Sequence, residues 1–263
     1  MSRATHRIHA VSGFVLHSYP FRETSLIVEC WTEEHGRVPL VARGARRPHS
    51  ALRGQLQAFM PLLLDWSGKN ELRTLHRAEW QGGMLAPRGM ALLCGFYINE
   101  LMLKLLARDD PHPILFAWYH HALQQLTRAE HATRCAIILR QFEQQLLQEL
   151  GYAQPFTHDA LYHQPIRAEL GYHYQCERGA IPLSEQPWSN ESPHTLPPEP
   201  EPSVAAADGL FIRGKTLLDL SNHDYDDPVS LAQAKQLMRF IINHHLGGQS
   251  LHARELLKDL QQL

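Results

Sequence analysis

Four arginines lie within the stretch Val41–Gln57 (VARGARRPHSALRGQLQ), and they are the residues of this chain best suited to bind phosphate. They are Arg43, Arg46, Arg47 and Arg53. No Asp or Glu occurs between His35 and Leu64, a range in which Arg37 adds a fifth arginine. Guanidinium groups without local carboxylates are typical of phosphate contacts, although a solvated charged loop has the same composition. We therefore expect these five arginines to contact nucleic-acid phosphates.

The charge of the chain is unevenly distributed. The whole sequence of 263 residues has a formal net charge of −2. Residues 1–85 contain eleven Lys or Arg against seven Asp or Glu, whereas residues 86–263 contain fourteen against twenty. A basic N-terminal third followed by an acidic remainder is typical of a nucleic-acid-binding module joined to another domain.

Signatures of catalysis are missing from the sequence. It contains no G-x-x-x-x-G-K-[ST], no G-x-G-x-x-G, no H-E-x-x-H and no G-x-S-x-G, which are common markers of nucleotide-dependent and hydrolytic enzymes. We therefore expect no catalytic residues and no cofactor. The absence of these motifs favours a binding protein over an enzyme.

One histidine-rich segment could hold a metal. It contains His158, His163, His173 and Cys176. Structural zinc sites present paired ligands at short spacing, and only His173 and Cys176 form such a pair. We expect no metal here, while a metal-dependent hydrolase that uses this segment is an open alternative.

The spacing of the cysteines and the length of the apolar runs indicate the cellular compartment of the protein. The cysteines, Cys30, Cys94, Cys135 and Cys176, occur singly with no C-x-x-C. Isolated thiols fit a reducing compartment better than a disulfide framework. The longest apolar runs are too short to span a bilayer, and the N-terminus has no apolar signal core. We therefore expect a cytoplasmic protein with no membrane association.

A β-rich region must position the arginines. Residues 13–19, 24–32, 37–42, 59–66 and 71–80 are rich in β-branched and aromatic side chains and are separated by turn residues. Five short strands at this size predict a small closed barrel of the OB type, although an SH3-like barrel or a small sandwich has a similar strand count. Alternation in the third segment places Arg37 and Arg43 on the outer face.

Aromatic side chains of this region could stack on nucleic-acid bases. The candidates are Phe14, Tyr19, Phe21, Trp31, Phe59 and Trp66. A small barrel must bury several large side chains, so we expect most of them in the core. Any that remain exposed could act as stacking surfaces.

The pattern becomes helical after Pro87. Apolar residues at helical spacing predict helices over 88–107, 112–127, 131–150, 228–245 and 253–260. Seven prolines between Pro182 and Pro202 indicate an irregular insertion over about 153–208. The predicted fold class is therefore α+β, with an OB-type nucleic-acid-binding barrel over 1–83 and a helical domain over 84–263 that carries the insertion.

Several segments together resemble the RecO family of bacterial recombination mediators. In chain order they are FVLHSYPFRETSLIVECWTEEHGRVPLVARGAR, LRGQLQAFMPLLLDW, YINELMLKLL, LRQFEQQLLQELGY and LGGQSLHARELL. The resemblance extends over nearly the whole chain except 153–208, and it implies an N-terminal OB domain and a helical domain. Many members also carry a zinc module with four clustered cysteines, whereas this chain has only Cys176 there. We therefore expect a degenerate, zinc-free insertion.

The resemblance implies a non-enzymatic mediator of DNA repair and recombination that is associated with the nucleoid. Such proteins bind single- and double-stranded DNA, anneal complementary strands and dock on the acidic, Phe-ending tail of single-strand-binding protein. With RecR they help to load the RecA recombinase. The DNA role is expected to fall on the five arginines, of which Arg43 and Arg46 match the family best. A protein adaptor whose basic barrel binds an acidic partner is the alternative.

The tail-docking role is expected to fall on the helical domain, because an apolar pocket and a guanidinium must meet a carboxylate there. We predict Arg140 for the guanidinium and Tyr97, Leu101 and Phe142 for the pocket walls. Helical spacing puts Arg140 roughly 130° from the centre of the apolar stripe of its helix, on the flank or the solvent side. For the three apolar candidates, ordinary packing between helices is the alternative interpretation.

Overall fold

In the computed structural model, which describes residues 7–153, 155–183 and 209–261, the N-terminal region is a closed barrel. Its strands are β1 (Arg7–Phe21), β2 (Ser25–Thr32), β3 (Gly36–Ala42), β4 (Leu62–Ser67) and β5 (Arg73–Trp80). The order is β1-β2-β3-β5-β4. Strands β3 and β5 pair in parallel, and the other neighbours pair antiparallel. The predicted five-stranded OB-type barrel is confirmed.

Strand β1 is long because it pairs with two neighbours and closes the barrel. Its register shifts between Ile8 and Val11 against β4, and between Val15 and His17 against β2. Ala10 has a φ of 55° at the first shift, as expected where a bulge bends a strand. Inward-facing residues of all five strands form one apolar core, among them Val11, Val28, Leu40, Trp66 and Leu75.

Four of the six aromatic candidates belong to the interior. Phe14, Trp31, Phe59 and Trp66 are all buried, so the expectation that most would be core residues is confirmed. Phe21 is partly buried, and Tyr19 is 45% exposed. These two therefore remain as candidates for stacking on bases.

The predicted helices are present, with bounds within about three residues of the expected ones. They are α1 (Met90–Leu105), α2 (Pro113–Thr127), α3 (Ala132–Glu149), α5 (Pro228–His245) and α6 (His252–Gln261). A shorter helix, α4 (Gly214–Ser221), precedes α5. None of the helices in the described ranges combines the length and apolar character needed to cross a membrane. The helical part of the fold class is thus confirmed.

The chain divides into two compact units, and the division does not follow the end of the barrel. The first unit contains residues Met1–Phe142 and Leu251–Leu263, and the second contains Glu143–Ser250. In the first unit the buried Asn99 on α1 donates to Leu16 O (2.9 Å) and accepts from Tyr119 Oη (2.7 Å) on α2. These bonds join the barrel to α1 and α2, which explains why the first unit continues beyond the predicted boundary near residue 84.

The second unit contains a small sheet, and two of its three strands lie in the region 153–208 that the sequence predicted to be irregular. Its strands are β6 (Gly171–Gln175), β7 (Gly179–Pro182) and β8 (Leu210–Arg213), in the order β7-β6-β8. Tyr172 and Tyr174 alternate into the interior, a strand signal that the surrounding polar and proline residues obscured. The prediction of an irregular 153–208 is therefore wrong for β6 and β7, whereas β8 lies beyond that range. Most of its proline-rich part, 184–208, lies outside the described residues.

Candidate nucleic-acid interface

The β3–β4 loop, residues 43–61, is held against the barrel by apolar side chains. Ala45 is buried, and Leu52 and Leu56 pack against the barrel core. Between these positions the backbone forms short turns, closed by bonds from Ser50 N to Arg47 O and from Arg53 N to Ser50 O, each 3.1 Å long. The polar residues between the anchors are therefore presented on the surface by a hydrogen-bonded backbone.

All four arginines of this loop are exposed. Arg46 is attached to the β1–β2 turn, since its backbone N donates to Thr24 O (2.9 Å) and its Nη1 donates to Glu23 O (3.3 Å). Arg53 Nη1 donates to Pro48 O (3.4 Å). Within the described ranges, no carboxylate oxygen lies within 4 Å of any of these four guanidinium groups. Each group keeps N–H donors available for a phosphate.

Arg37, the fifth predicted DNA contact, lies in a different environment. Its Nη1 lies 3.5 Å from Glu29 Oε2, and its Nη2 donates to Leu106 O (3.0 Å). Only 15% of the side chain is exposed, and burial lowers the pKa of the guanidinium. Alternation places Arg37 on the outer face as predicted, but the segment after α1 covers that face. The expectation that Arg37 faces open solvent is therefore wrong.

The carboxylate of Glu29 is the centre of this covered region. Glu29 is buried. Its Oε1 accepts a hydrogen bond from Arg108 Nη2 (2.5 Å), and its Oε2 forms the ion pair with Arg37. Arg108 also pairs with the exposed Glu71. Burial alone would lower the pKa of Arg108, but its bonds and attraction to the two carboxylates raise it above the ordinary value. We call Glu29, Arg37 and Arg108 the Glu29 cluster, and it ties the barrel to the α1–α2 connection.

One arginine of the surface next to the loop was missed from the sequence. Arg22 is exposed in the β1–β2 turn, and its guanidinium lies 5.2 Å from the centre of the Phe21 ring. Since Arg46 bonds to the same turn, Arg22 extends the cationic surface of the β3–β4 loop. The available signal was an arginine beside an aromatic residue in a turn, but it lies outside the arginine-rich run.

The residues predicted for tail docking are all buried. Arg140 is 6% exposed, and Tyr97, Leu101 and Phe142 are less exposed still. The Tyr97 ring faces the Arg254 guanidinium (5.8 Å), and the Phe142 ring contacts Tyr119 (6.4 Å). Of the two positions predicted for Arg140, the solvent side is wrong, because the side chain is buried; a position on a covered flank of the helix agrees with its burial. A peptide could reach these four side chains only after a neighbouring side chain had moved.

A cavity of about 360 Å³ lies in the second unit. Apolar side chains of α3 and α5, such as Leu147 and Met238, line it together with Gln144 and Gln148. No Lys or Arg is among the described residues of its lining. Its described lining therefore offers a carboxylate-ended peptide His223 but no guanidinium or ammonium group, and the cavity does not replace the predicted docking residues.

The histidine-rich segment does not assemble a metal site within the described residues. No group of three or more His, Cys, Asp or Glu side chains there is arranged to hold an ion. His158 and His163 are exposed, and the His173 ring lies against Phe211 at 5.0 Å. Burial, with Glu177, raises the pKa of the Cys176 thiol to about 11, so its thiolate form is disfavoured at neutral pH.

Two family descriptions match the chain. The family described as Recombination protein O N terminal matches residues 7–84, which covers the barrel. The family described as Recombination protein O C terminal matches residues 88–255, which covers most of the remaining chain.

Individual relatives match over almost their whole length. A protein of Nitrosospira multiformis named DNA repair protein RecO is 49% identical over 257 residues, which is 98% of each chain. A protein of the same name from Thiobacillus denitrificans is 47% identical over 263 residues, covering 98% of this chain and 94% of the relative. A third, from Azoarcus sp., is 48% identical over 257 residues and also covers 98% of each chain.

Proposed function

The chain belongs to the RecO family of DNA-repair proteins, and from this premise we propose that it is a non-enzymatic mediator that binds DNA through the β3–β4 loop. The observation that supports this proposal is the set of four exposed arginines without carboxylate neighbours. Phosphates supply the negative charge that these arginines lack, and their binding releases counterions from the DNA. The contact reads the backbone, so little sequence preference is expected.

The same chemistry accounts for both strand forms and for annealing. Single- and double-stranded DNA present the same phosphate groups, so one cationic loop can hold either form. Two complementary strands repel each other through their phosphates, and a protein that neutralises part of that charge lowers the repulsion as they pair. No covalent bond is made or broken by the protein, and the proposed role therefore requires no catalytic residue and no cofactor.

The test is a titration of labelled single-stranded DNA at two salt concentrations with the parent protein and a variant carrying Arg43→Ala, Arg46→Ala and Arg47→Ala. We expect the variant to bind about 10- to 100-fold more weakly at low salt. The slope of log affinity against log salt should fall by about 2, because each phosphate contact on a single strand contributes about 0.7.

A matched control is Arg77→Ala, which removes an exposed arginine of β5 that pairs with Glu79. This variant should bind DNA as the parent does, since the lost guanidinium is already neutralised. Undetectable binding by the parent protein at low salt would overturn the proposal and favour an adaptor that binds an acidic protein.

We further propose that the acidic, Phe-ending tail of single-strand-binding protein docks on the helical part of the first unit near Arg140 and Phe142. Because Arg140 is buried, docking requires a side-chain rearrangement that exposes its guanidinium to the tail carboxylate. Arg140→Ala should weaken binding of a tail peptide while DNA affinity is kept. Arg134→Ala is the control, since Arg134 is an exposed arginine of the same helix whose Nη2 donates to Gln125 Oε1 (2.8 Å). Equal loss of peptide and DNA binding would contradict the assignment.

The family role also implies partners beyond DNA. We propose that the protein works with RecR to help load RecA, in the cytoplasm and in association with the nucleoid. The measurement is RecA filament formation on DNA coated with single-strand-binding protein, with and without RecR. Filament formation that does not depend on this protein would contradict the proposal.

A further inference from the structure

The outer face of the barrel changes from covered to open along strands β1, β2 and β3. Near Glu29 the face is covered by the α1–α2 connection, as described above. Two residues earlier on β2, Ile27 pairs with Tyr19 on β1 and with Val41 on β3, and Val41 pairs with Thr74 on β5. Tyr19 is 45% exposed, so this cross-strand row begins with an aromatic ring at the surface.

This open end of the face adjoins the cationic loop. Strand β3 ends at Ala42, and Arg43 opens the loop directly after it, two residues beyond Val41. Gly44 N donates to Ser25 Oγ (3.3 Å), and Ser25 pairs with Phe21 two residues beyond Tyr19. The aromatic residues at the end of β1 and the first arginine of the loop are therefore neighbours on one surface.

The Tyr19 ring is supported from the side. The ring centroids of His17 and Tyr19 lie 4.4 Å apart at an interplanar angle of 64°. Edge-to-face contact of this kind is a favourable arrangement for two aromatic rings, and it holds Tyr19 while the residue stays 45% exposed. The Arg22 guanidinium lies over one face of the Phe21 ring, 5.2 Å from its centroid, so Phe21 has only its other face for a base. Rings held at the surface beside phosphate-binding cations are the arrangement that binds single strands by stacking on bases.

We propose that Tyr19, aided by Phe21, is a base-stacking platform that gives the site a preference for single-stranded DNA with unpaired bases. This inference rests on the proposed DNA contact of the β3–β4 loop, which supplies the phosphate binding. Paired bases of a duplex are stacked on each other and do not present a free face to Tyr19. The loop therefore supplies affinity for any strand, and the platform distinguishes unpaired from paired bases.

The experiment measures the affinities of Tyr19→Ala, Tyr19→Phe and Trp80→Ala for three ligands at one salt concentration. The ligands are an oligothymidine, an abasic strand of the same length and a duplex. Tyr19→Ala should bind oligothymidine about tenfold more weakly, since stacking on one base is worth about that factor or more. Its affinity for the abasic strand and the duplex should equal that of the parent, and Tyr19→Phe should retain all three affinities.

Trp80→Ala is the matched control, because Trp80 is an exposed aromatic residue of the same barrel (48%) that lies six residues along β5 from Thr74. That separation is about 20 Å along the strand, so its removal should change no affinity. An unchanged oligothymidine affinity in Tyr19→Ala, or an equal loss on the abasic strand, would overturn the platform while leaving the loop contact intact. Absence of binding to all three ligands by the parent would overturn the loop contact and the platform together.

Discussion

The β3–β4 loop and the Glu29 cluster contain the same kind of side chain in two opposite situations. In the loop, four arginines are exposed and no carboxylate lies within salt-bridge distance among the described residues. In the cluster, Arg37 and Arg108 share the buried carboxylate of Glu29. The loop joins strands β3 and β4 of the barrel, and the cluster residues Glu29 and Arg37 lie on β2 and β3 of the same barrel.

The difference teaches that a nearby carboxylate, more than the arginine itself, decides what an arginine does in this barrel. A guanidinium that pairs with a buried carboxylate stabilises the tertiary structure and does not bind a ligand, because separating the pair leaves a buried charge without a partner. A guanidinium without one has its charge and donors available for a ligand. Loss of cluster residues should therefore reduce stability, and loss of loop residues should reduce binding.

The largest expected effect tests whether the Glu29 cluster stabilises the fold. Glu29→Ala removes the carboxylate that two arginines share and leaves the partly buried Arg37 without its counter-charge. We expect the free energy of unfolding, measured with urea, to fall by about 3 kcal/mol. Arg43→Ala, the matched change in the loop, should alter it by less than about 0.5 kcal/mol.

DNA affinity of the folded Glu29→Ala protein should stay close to that of the parent, because the loop arginines are untouched. If Glu29→Ala and Arg43→Ala had the same small effect on unfolding, the cluster would have no special structural role. The comparison between the two regions would then fail.

A smaller effect is expected when a carboxylate is added to the loop, and it tests whether the unpaired loop arginines bind DNA. Ala51 is exposed between Arg47 and Arg53, so Ala51→Glu supplies these arginines with a counter-charge. DNA affinity at low salt should fall about fivefold, and the difference should shrink at high salt as screening increases. Ala51→Gln has nearly the same shape without the charge, and it should bind DNA as the parent does. A similar loss in both variants would show that the loop responds to side-chain size and not to charge.

The sequence predicted the elements of this molecule better than the surroundings of its charged residues. Local alternation and helical spacing were sufficient for the five barrel strands and for the long helices, since those patterns repeat within each element. The ends of two helices also carry residues that commonly end helices: Asp227 caps α5 by accepting from Val229 N, and Gly151 follows α3 with a φ of 74°.

The errors concern residues whose environment is set by distant parts of the chain. Arg37 is covered by residues near Leu106, about seventy positions away, and no local pattern reports that contact. Arg140 lies off the apolar stripe of α3 and is nevertheless buried, because periodicity identifies one covered face of a helix and cannot exclude a second. Strands β6 and β8 pair although residues 184–208 lie between them in the chain. A local sequence pattern cannot predict pairing across that separation.

The smallest expected effect concerns Asp65, a carboxylate of β4 whose main partner is a backbone N–H. Asp65 Oδ1 accepts from Ala10 N (2.8 Å), and its Oδ2 lies 3.3 Å from His9 Nδ1. The bond from Ala10, with a lesser part from His9, holds the pKa of Asp65 below its ordinary value. Because Ala10 has a φ of 55°, this carboxylate also stabilises a strained bulge.

The sign of the pH dependence follows from that depressed pKa. The unfolded-state pKa of an Asp is about 3.9, so the stabilisation from ionised Asp65 is fully present above that value and is lost as pH falls through the lower folded-state pKa. Asp65→Asn keeps an oxygen for Ala10 N but loses the charge, and we expect it to cost about 1 kcal/mol at pH 7. The difference from the parent, followed by urea unfolding from pH 7 downward, should narrow only below about pH 4. Glu33→Gln, which neutralises an exposed carboxylate of the β2–β3 turn, controls for net charge. A difference that stayed constant through the acid range would show that the Asp65 charge contributes nothing to the bulge, and that among these three regions only arginine-paired carboxylates stabilise the barrel.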